Sequence, residues 1–437
     1  MYRRAIEELK SWKECSDRKP LIIRGARQTG KTWLMKEFGR SYYERVAYIN
    51  FENNPRMEIL FQEDFDIDRL LLGLQAESGC VIVPGETLLL FDEVQEVPEA
   101  LTSLKYFREN APGYHVLAAG SLLGIALHPD TSFPVGKVGF LDLFPLSFSE
   151  FLIATDNKPL HEMIEKLDFG MLKVFATKLT ELLRQYYFVG GMPEVVKNFL
   201  EERDYAVVRN IQKQLLAVYE QDFSKHAPNR TVPRIRSVWN SLPAQLARKN
   251  RKFVYGLARK GARAREYELA IQWLLDCGLV HRVDRVTRPG IPLPAYRDSS
   301  AFKLYAPDVG LLCAMSDIDV RTVLQGNKLF KEFKGALTEQ FVLQQLIAHC
   351  GINPFYWSAD KSSGEVDFVM QIDGMVLPLE VKAAENLQSK SLRSYYKRYA
   401  PKKAFRTSLS GYREEEWLIN LPLYSVHSIG KLARRFR

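Results

Sequence analysis

A stretch near the N-terminus has the residue types and spacing of a loop that binds phosphate groups. It fits the pattern G-x-x-x-x-G-K-[ST], in which glycines let backbone N–H groups turn towards an anion at the start of a helix. We expect Lys31 to contact the β- and γ-phosphates of ATP, and the hydroxyl of Thr32 to ligate Mg2+. The residues assigned to nucleotide binding are Gly25, Ala26, Arg27, Gln28, Thr29, Gly30, Lys31 and Thr32.

Two acidic residues farther along the chain have the chemistry that ATP hydrolysis requires. The apolar run at 88–91 is typical of a strand buried on both faces, and Asp92 and Glu93 follow at its carboxyl end, where ligands bind in parallel sheets. Asp92 is predicted to hold Mg2+, and Glu93 to polarise the attacking water. The alternative is a solvated acidic turn. Another predicted strand, 115–119, is followed by Ser121, whose hydroxyl is expected beside the γ-phosphate unless it only closes the strand.

A second set of charged residues lies near the C-terminus. Glu380 and Lys382 are two residues apart on a predicted strand and therefore share a face, and Asp367 lies on the strand before it. Asp367 and Glu380 are predicted to ligate Mg2+ or Mn2+, which would polarise a phosphodiester. Lys382 would either activate the attacking water by lowering its pKa or neutralise charge on the transition state, and Glu339 would complete the acidic pocket from an upstream helix. The alternative is a binding module that does not cleave.

The surroundings of these residues resemble known families. The buried strand expected at 21–23 and the helix expected from residue 33 are the context of the P-loop NTPases. With the stretch 136–151, the motifs resemble the bacterial and archaeal AAA-type ATP-binding proteins whose C-terminal half is a domain of unknown function. That family usually has Arg where this chain has Lys137, which weakens the case for a guanidinium finger there. Asp367 followed by Glu380-x-Lys382 resembles the PD-(D/E)xK nucleases.

The resemblance implies an α/β protein and a division into domains. We expect a P-loop AAA-type ATPase core with a parallel sheet at 1–155 and a helical lid at 156–228. The lid contains a Gly190-Gly191 turn that opens a helix. A winged-helix-like basic domain is expected at 229–320, and a PD-(D/E)xK nuclease-like α/β domain at 321–437. ATP and Mg2+ are the expected cofactors, with a further Mg2+ or Mn2+ at the C-terminal site.

The net charge of +9 is concentrated in one segment. Residues 232–288 contain thirteen Lys and Arg against four Asp and Glu, so a polyanionic partner, most simply DNA, is predicted. Helical periodicity at 235–246 and 265–275, followed by two predicted strands, suggests a winged helix. The alternative is a solvated face that only packs against the ATPase. The residues predicted to face DNA are Lys249, Arg251, Lys252, Arg259, Lys260, Arg263 and Arg265.

Composition and length restrict the class of protein. The five cysteines are scattered and have no metal-ligand spacing, which predicts reduced thiols. No apolar run approaches the roughly 20 residues of a membrane helix, and the N-terminus lacks a signal-peptide core, so we expect a cytoplasmic protein without membrane contact. A homo-oligomer is possible. Three functions remain open: an ATP-dependent nuclease, a nucleotide-switched DNA-binding protein without cleavage, and a scaffold ATPase with protein partners.

Overall fold

A computed structural model describes residues 1–120, 136–248, 250–325, 331–359, 364–383 and 389–436, with backbone alone at 331 and 332. Within these ranges the chain divides into two units. The N-terminal unit is Arg3–Phe144 with Asp276–Leu279. The C-terminal unit comprises Met1–Tyr2, Pro145–Leu275 and Val280–Arg437.

The N-terminal unit is built on a parallel sheet with helices on both faces. Its strands are β1 (Leu21–Arg24), β2 (Arg45–Asn50), β3 (Thr87–Asp92), β4 (His115–Ala119) and β5 (Gly139–Asp142). Its helices are α1 (Ala5–Glu14), α2 (Lys31–Tyr42), α3 (Pro55–Glu63), α4 (Ile67–Ser78) and α5 (Pro98–Asn110). In the described part of this unit the strand order is β2-β3-β4-β1-β5, with every pair parallel. The predicted parallel α/β core is therefore confirmed.

The apolar run in β3 is explained by burial on both sides of the sheet. Leu89 and Phe91 belong to the hydrophobic cluster that includes residues of α3, α4 and α5. Leu88 and Leu90 alternate to the opposite cluster, which includes residues of α1 and α2. Because successive side chains of a strand point to opposite faces, a strand covered on both sides needs an apolar residue at every position. This packing carries the acidic pair to the carboxyl end of β3.

The C-terminal unit combines helices with one mixed sheet. Its helices up to the first strand are α6 (Phe148–Ala154), α7 (Lys158–Glu165), α8 (Phe169–Val174), α9 (Ala176–Val189), α10 (Pro193–Glu202), α11 (Tyr205–His226), α12 (Val232–Leu246), α13 (Tyr255–Ala258) and α14 (Ala264–Asp276). The later helices are α15 (Val309–Met315), α16 (Val320–Gln325), α17 (Lys331–Ala348), α18 (Lys390–Tyr399) and α19 (Ile429–Ala433). The strands are β6 (His281–Val286), β7 (Arg297–Tyr305), β8 (Phe355–Ser358), β9 (Glu365–Ile372), β10 (Met375–Val381), β11 (Ala404–Ser408), β12 (Arg413–Glu414) and β13 (Leu418–Pro422).

The hairpin predicted as a wing is part of this sheet. Helices α12 and α14 precede an antiparallel β6–β7 pair, as the sequence pattern suggested. However, β6 also pairs in parallel with β8, and the strand order in the described residues is β12-β13-β11-β10-β9-β8-β6-β7. Val286 of β6 and Trp357 of β8 share a buried cluster, which gives the packing reason for this pairing. The expected boundary between residues 320 and 321 therefore divides a continuous sheet.

The Gly190-Gly191 turn is a close packing point. A Cβ on Gly190 would lie 2.1 Å from Oδ1 of Asp308, and one on Gly191 would lie 2.1 Å from the carbonyl oxygen of Leu146. The backbone N–H of Leu146 donates to the Gly191 carbonyl at 2.7 Å. Just beyond, a capping box at Ser147 starts α6. These contacts give the turn and the start of α6 a structural role.

Two sequence-level expectations about the chain as a whole can be compared with the structure. All five cysteines are free thiols, which agrees with the predicted absence of a disulfide framework. In the described ranges, no helix has both the length and the apolar character needed to span a bilayer.

Candidate functional site

The predicted phosphate loop lies between β1 and α2, and its backbone needs its glycines. Gly25 has φ 146°, and a Cβ there would lie 2.1 Å from the Leu143 carbonyl oxygen. Gly30, directly before α2, has φ 92°, in the left-handed region. Gln28 shares that region, with φ 64°. The loop thus winds tightly and ends at a helix N-terminus, where orphan N–H groups and the helix dipole favour an anion.

Lys31 is buried and folds back onto the loop. Its Nζ donates hydrogen bonds to the carbonyl oxygens of Gly25 and Ala26, both at 2.9 Å. Burial lowers the pKa of Lys31 to about 8, although the carboxylates of Glu93 and Asp92 oppose that shift. The ammonium therefore lies at the loop, in an environment where an added negative charge would stabilise its protonated form.

Thr32 and Asp92 meet across the start of α2 and the end of β3. The Thr32 hydroxyl donates to Oδ2 of Asp92 at 2.8 Å, and the Tyr48 hydroxyl donates to the same oxygen at 2.9 Å. Asp92 is 4% exposed. Sequence reasoning identified Thr32 and Asp92 but missed Tyr48. The only sequence signal was its place in the partly apolar run of β2.

Glu93 is held in an unusual backbone conformation directly after β3. Its φ is 51°, which is uncommon for a residue with a side chain and tends to occur at functional sites. Gln95 donates from Nε2 to Oε2 of Glu93 at 2.7 Å. The carboxylate thus has a fixed neighbour on the turn that follows the strand.

Three further positions in the sequence range of the N-terminal unit were either predicted from the sequence or missed by it. Arg3, which the sequence did not single out, is buried and donates to the carbonyl oxygens of Thr29 at 3.0 Å and Phe144 at 2.6 Å. Lys137 lies 2.8 Å from Glu109 in a surface ion pair, so its ammonium already has a carboxylate partner. Ser121 lies outside the described residues, and its expected place beside the γ-phosphate stays a prediction.

An open cavity of about 910 Å³ in the C-terminal unit brings together most of the second predicted set. Asp367 on β9, Glu380 on β10 and Lys382 just after β10 all line it. Oδ2 of Asp367 accepts from the Val381 backbone N–H at 2.8 Å, which fixes the carboxylate against the neighbouring strand. Nζ of Lys382 lies 2.5 Å from Oε1 of Glu380. Oε2 of Glu380 is buried without a hydrogen-bond partner among the described residues.

Glu339 does not have the place expected for it. It is 1% exposed on α17, and Arg251, Lys303 and Tyr305 all engage its carboxylate, Lys303 at 3.1 Å. Burial would favour the neutral acid, but the two cations hold the pKa of Glu339 below its usual range. Because both of its oxygens have partners, Glu339 neutralises buried cations and does not complete the open acidic pocket.

Lys303 on β7 was missed by sequence reasoning. Its side chain is 0% exposed and contacts two carboxylates, that of Glu339 and that of Glu365. The distance to Glu365, which lines the cavity, is 2.6 Å. The sequence did contain a signal for it: Lys303 and Tyr305 are two apart on a predicted strand between apolar residues, so they share a face and can be buried together.

The pKa of Asp367 is raised to about 8, first by burial and then by the negative charge of Glu339.

The residues predicted to face DNA separate into groups. Arg251 and Lys252 line the cavity. The Arg251 guanidinium is, however, largely buried and pairs with Glu339, whose buried carboxylate needs a cation to balance its charge. Arg248, which the sequence did not single out, also lines the cavity. Lys249 lies outside the described residues. The remaining four are exposed and do not line the cavity: Arg259, Lys260, Arg263 and Arg265.

Comparisons with known proteins agree with the reading of the N-terminal unit. Residues 17–152 match a family model described as an AAA domain, and residues 180–322 and 334–424 match two models described as domains of unknown function. Two uncharacterized proteins, from Mycobacterium bovis and Mycobacterium tuberculosis, are each 24% identical over 379 residues, which is 86% of this chain and 73% of theirs. The AAA-domain match supports an AAA-type P-loop region.

Solved structures with partial similarity were also found. A Walker-type ATPase of Pyrococcus abyssi is 15% identical, with a TM-score of 0.44 over 72% of this chain and 96% of its own. The Orc1 protein of Aeropyrum pernix, solved in complex with DNA, is 13% identical, with a TM-score of 0.28 over 72% of this chain and 91% of its own.

Proposed function

We propose that the N-terminal unit binds ATP with Mg2+ and hydrolyses it. The observation that carries the proposal is the 2.8 Å contact between the Thr32 hydroxyl and Asp92, beside a glycine-dependent loop at a helix N-terminus. A hydroxyl and a carboxylate are the oxygen donors that Mg2+ accepts, so these residues fit the ion. When bound, Mg2+ would neutralise charge on the β- and γ-phosphates.

The residues of the loop and of β3 would divide the remaining tasks. The loop N–H groups and the Lys31 ammonium would hold the phosphates, because both direct positive charge towards the loop and Lys31 is buried. Tyr48 would keep the Asp92 carboxylate oriented. Glu93, at the turn after β3, would accept a proton from the attacking water, and its contact with Gln95 would fix its position.

ATP turnover by three variants tests this proposal. Lys31→Ala should abolish nucleotide binding, whereas Glu93→Gln should bind ATP but turn it over at least about 100-fold more slowly. Glu96→Gln is the matched control, since Glu96 is an exposed carboxylate three residues farther along the same segment. A Glu93→Gln rate equal to that of Glu96→Gln would exclude Glu93 as the base.

We further propose that the C-terminal cavity binds nucleic acid and hydrolyses its phosphodiester. Asp367 and Glu380 supply carboxylates on adjacent strands, and Arg248, Lys252 and Lys382 supply positive charge in the same cavity. The buried Oε2 of Glu380, without a hydrogen-bond partner in the described ranges, fits a divalent cation. Mg2+ or Mn2+ held there would polarise the phosphodiester, while Lys382 would orient and activate a water.

Plasmid and single-stranded DNA, incubated with Mg2+ or Mn2+ and with or without ATP, distinguish the remaining functions. Cleavage that is lost in Asp367→Asn but kept in the control Asp373→Asn supports a nuclease. Asp373 is a suitable control because it is a carboxylate on the β9–β10 turn that pairs with Arg434. DNA binding without cleavage would favour a nucleotide-switched DNA-binding protein. Loss of both activities, with ATP turnover kept, would favour a scaffold ATPase with protein partners.

A further inference from the structure

Two histidines and a glutamate come together in the C-terminal unit, and neither proposed activity uses them. Glu165 is the last residue of α7, His349 follows the end of α17, and His427 lies in the short helical turn at 423–428. Nε2 of His349 is 3.7 Å from Oε1 of Glu165, and Nε2 of His427 is 3.9 Å from the same oxygen. One ligand atom from each residue lies within 4.8 Å of the other two.

These separations are close to those of a tetrahedral metal site. With bonds of about 2.0–2.2 Å to nitrogen and oxygen, neighbouring ligand atoms around Zn2+ lie about 3.3–3.6 Å apart. The observed distances from Glu165 exceed that range by only a few tenths of an ångström. The ligand atoms of the two histidines lie within 4.8 Å of each other, so metal binding would also bring the imidazoles closer together.

Burial and the surrounding contacts favour a site that is already formed. The His427 side chain is 0% exposed and that of His349 is 12% exposed, while Glu165 at 39% leaves a path from solvent. The Cys350 thiol donates to the His427 carbonyl oxygen at 3.1 Å, and Lys431 donates to the Glu165 carbonyl oxygen. The backbone of the candidate ligands is therefore fixed by neighbours that are not ligands themselves.

We propose that Glu165, His349 and His427 bind a divalent transition metal, with Zn2+ as the expected ion. Two imidazoles and one carboxylate suit Zn2+, whereas Mg2+ prefers oxygen ligands alone. Three protein ligands leave a fourth position for water. Because the ligands come from distant parts of the sequence, the metal would link α7, the end of α17 and the C-terminal segment, and would stabilise the folded unit.

Titration of chelator-treated full-length protein with Co2+ and Zn2+ tests the proposal. Co2+ reports tetrahedral coordination through its visible absorption. All proteins carry Asp367→Asn, so that the acidic cavity contributes little to binding. In this background the parent protein should bind one Co2+ that Zn2+ displaces. Glu165→Gln and His349→Gln should each weaken that binding by more than the roughly 10–100-fold cost of losing a hydrogen-bond partner of a ligand.

Glu162→Gln is the matched control, since Glu162 lies on the same helix and pairs only loosely with Lys166, at 3.8 Å. It should bind Co2+ as the parent does, and Zn2+ should raise its thermal unfolding midpoint but not that of Glu165→Gln. Far-UV circular dichroism checks that Glu165→Gln folds, as expected for a partly exposed residue. Equal Co2+ binding by Glu165→Gln and Glu162→Gln, or no tetrahedral Co2+ spectrum from the parent, would overturn the proposal.

Discussion

Replacing Arg251 by Met separates two roles of one cation, contact with nucleic acid and neutralisation of a buried acid. The Arg251 side chain is 15% exposed and pairs with Glu339, which is 1% exposed. After the substitution, Glu339 would keep Lys303 at 3.1 Å and the hydroxyl of Tyr305. The remaining carboxylate would therefore be only partly balanced, because one Lys would serve both Glu339 and Glu365.

The magnitude follows from this partial balance. Removing one partner of a buried ion pair costs about 3–5 kcal/mol when the other charge is left alone. Because Lys303 remains, we expect Arg251→Met to lower the free energy of unfolding by about 2–3 kcal/mol. Combining it with Glu339→Gln should recover part of that loss. The two positions should then show a coupling energy of about 1–2 kcal/mol in a double-mutant cycle.

Urea unfolding and DNA binding measured on the same proteins provide the assay. Lys252→Met is the matched control, because Lys252 is the next residue, lines the same cavity and is exposed. It should change the free energy of unfolding by less than about 0.5 kcal/mol, yet reduce the salt dependence of DNA binding by about one ion. If Arg251→Met were as mild as Lys252→Met, the structural role assigned to Arg251 would be refuted.

Three further substitutions probe other contacts. Tyr48→Phe removes the 2.9 Å hydrogen bond to Asp92, so it should lower the free energy of unfolding by about 1 kcal/mol and slow ATP turnover. An unchanged rate of ATP turnover would contradict a positioning role for Tyr48. Gly191→Ala places a methyl group 2.1 Å from the Leu146 carbonyl oxygen and should lower the free energy of unfolding by about 2–3 kcal/mol, measured by thermal unfolding. His115→Gln should reduce the loss of the free energy of unfolding that occurs as the pH falls from 7 to 4. Burial lowers the pKa of His115 from about 6.5 to about 4, so wild-type stability falls by at most about 3 kcal/mol between pH 7 and pH 4.

The geometry of the candidate nucleotide site could be predicted because its determinants are local in sequence. One continuous loop contains the glycines, Lys31 and Thr32, and one apolar strand places Asp92 at the carboxyl end of the parallel sheet. The alternation of Leu88 to Phe91 between two buried clusters explains why that strand was readable without an alignment. Tyr48 escaped detection because its hydrogen bond depends on the pairing of β2 with β3, which sequence alone does not specify.

The C-terminal unit was predicted less completely because its charges are matched across long sequence separations. The positions of Asp367, Glu380 and Lys382 follow from strand periodicity, and the structure brings them into one cavity. The environment of Glu339 does not follow from any local pattern, since its partners come from a loop and from β7. Pairing of β6 with β8 has the same character, because it joins segments that the sequence presents as separate domains.

The concentration of positive charge between residues 232 and 288 overstates the surface available to a polyanion. Arg251 is taken up by Glu339, Arg282 lies 2.7 Å from Asp284, and Arg285 lies 3.4 Å from Asp298. The charge counted for this stretch already includes Asp284 but not Glu339 and Asp298, which lie outside it. These two acids balance Arg251 and Arg285 within the fold, so those two cations add little to a long-range field. Among the described residues of this stretch, the exposed cations are Arg236, Arg248, Lys252, Arg259, Lys260, Arg263, Arg265 and Arg288, and six of these eight lie between residues 248 and 265. A nucleic-acid partner would therefore be attracted mainly through the short segment that begins at the cavity and continues into α14, and the affinity should depend on these positions more than on the total charge.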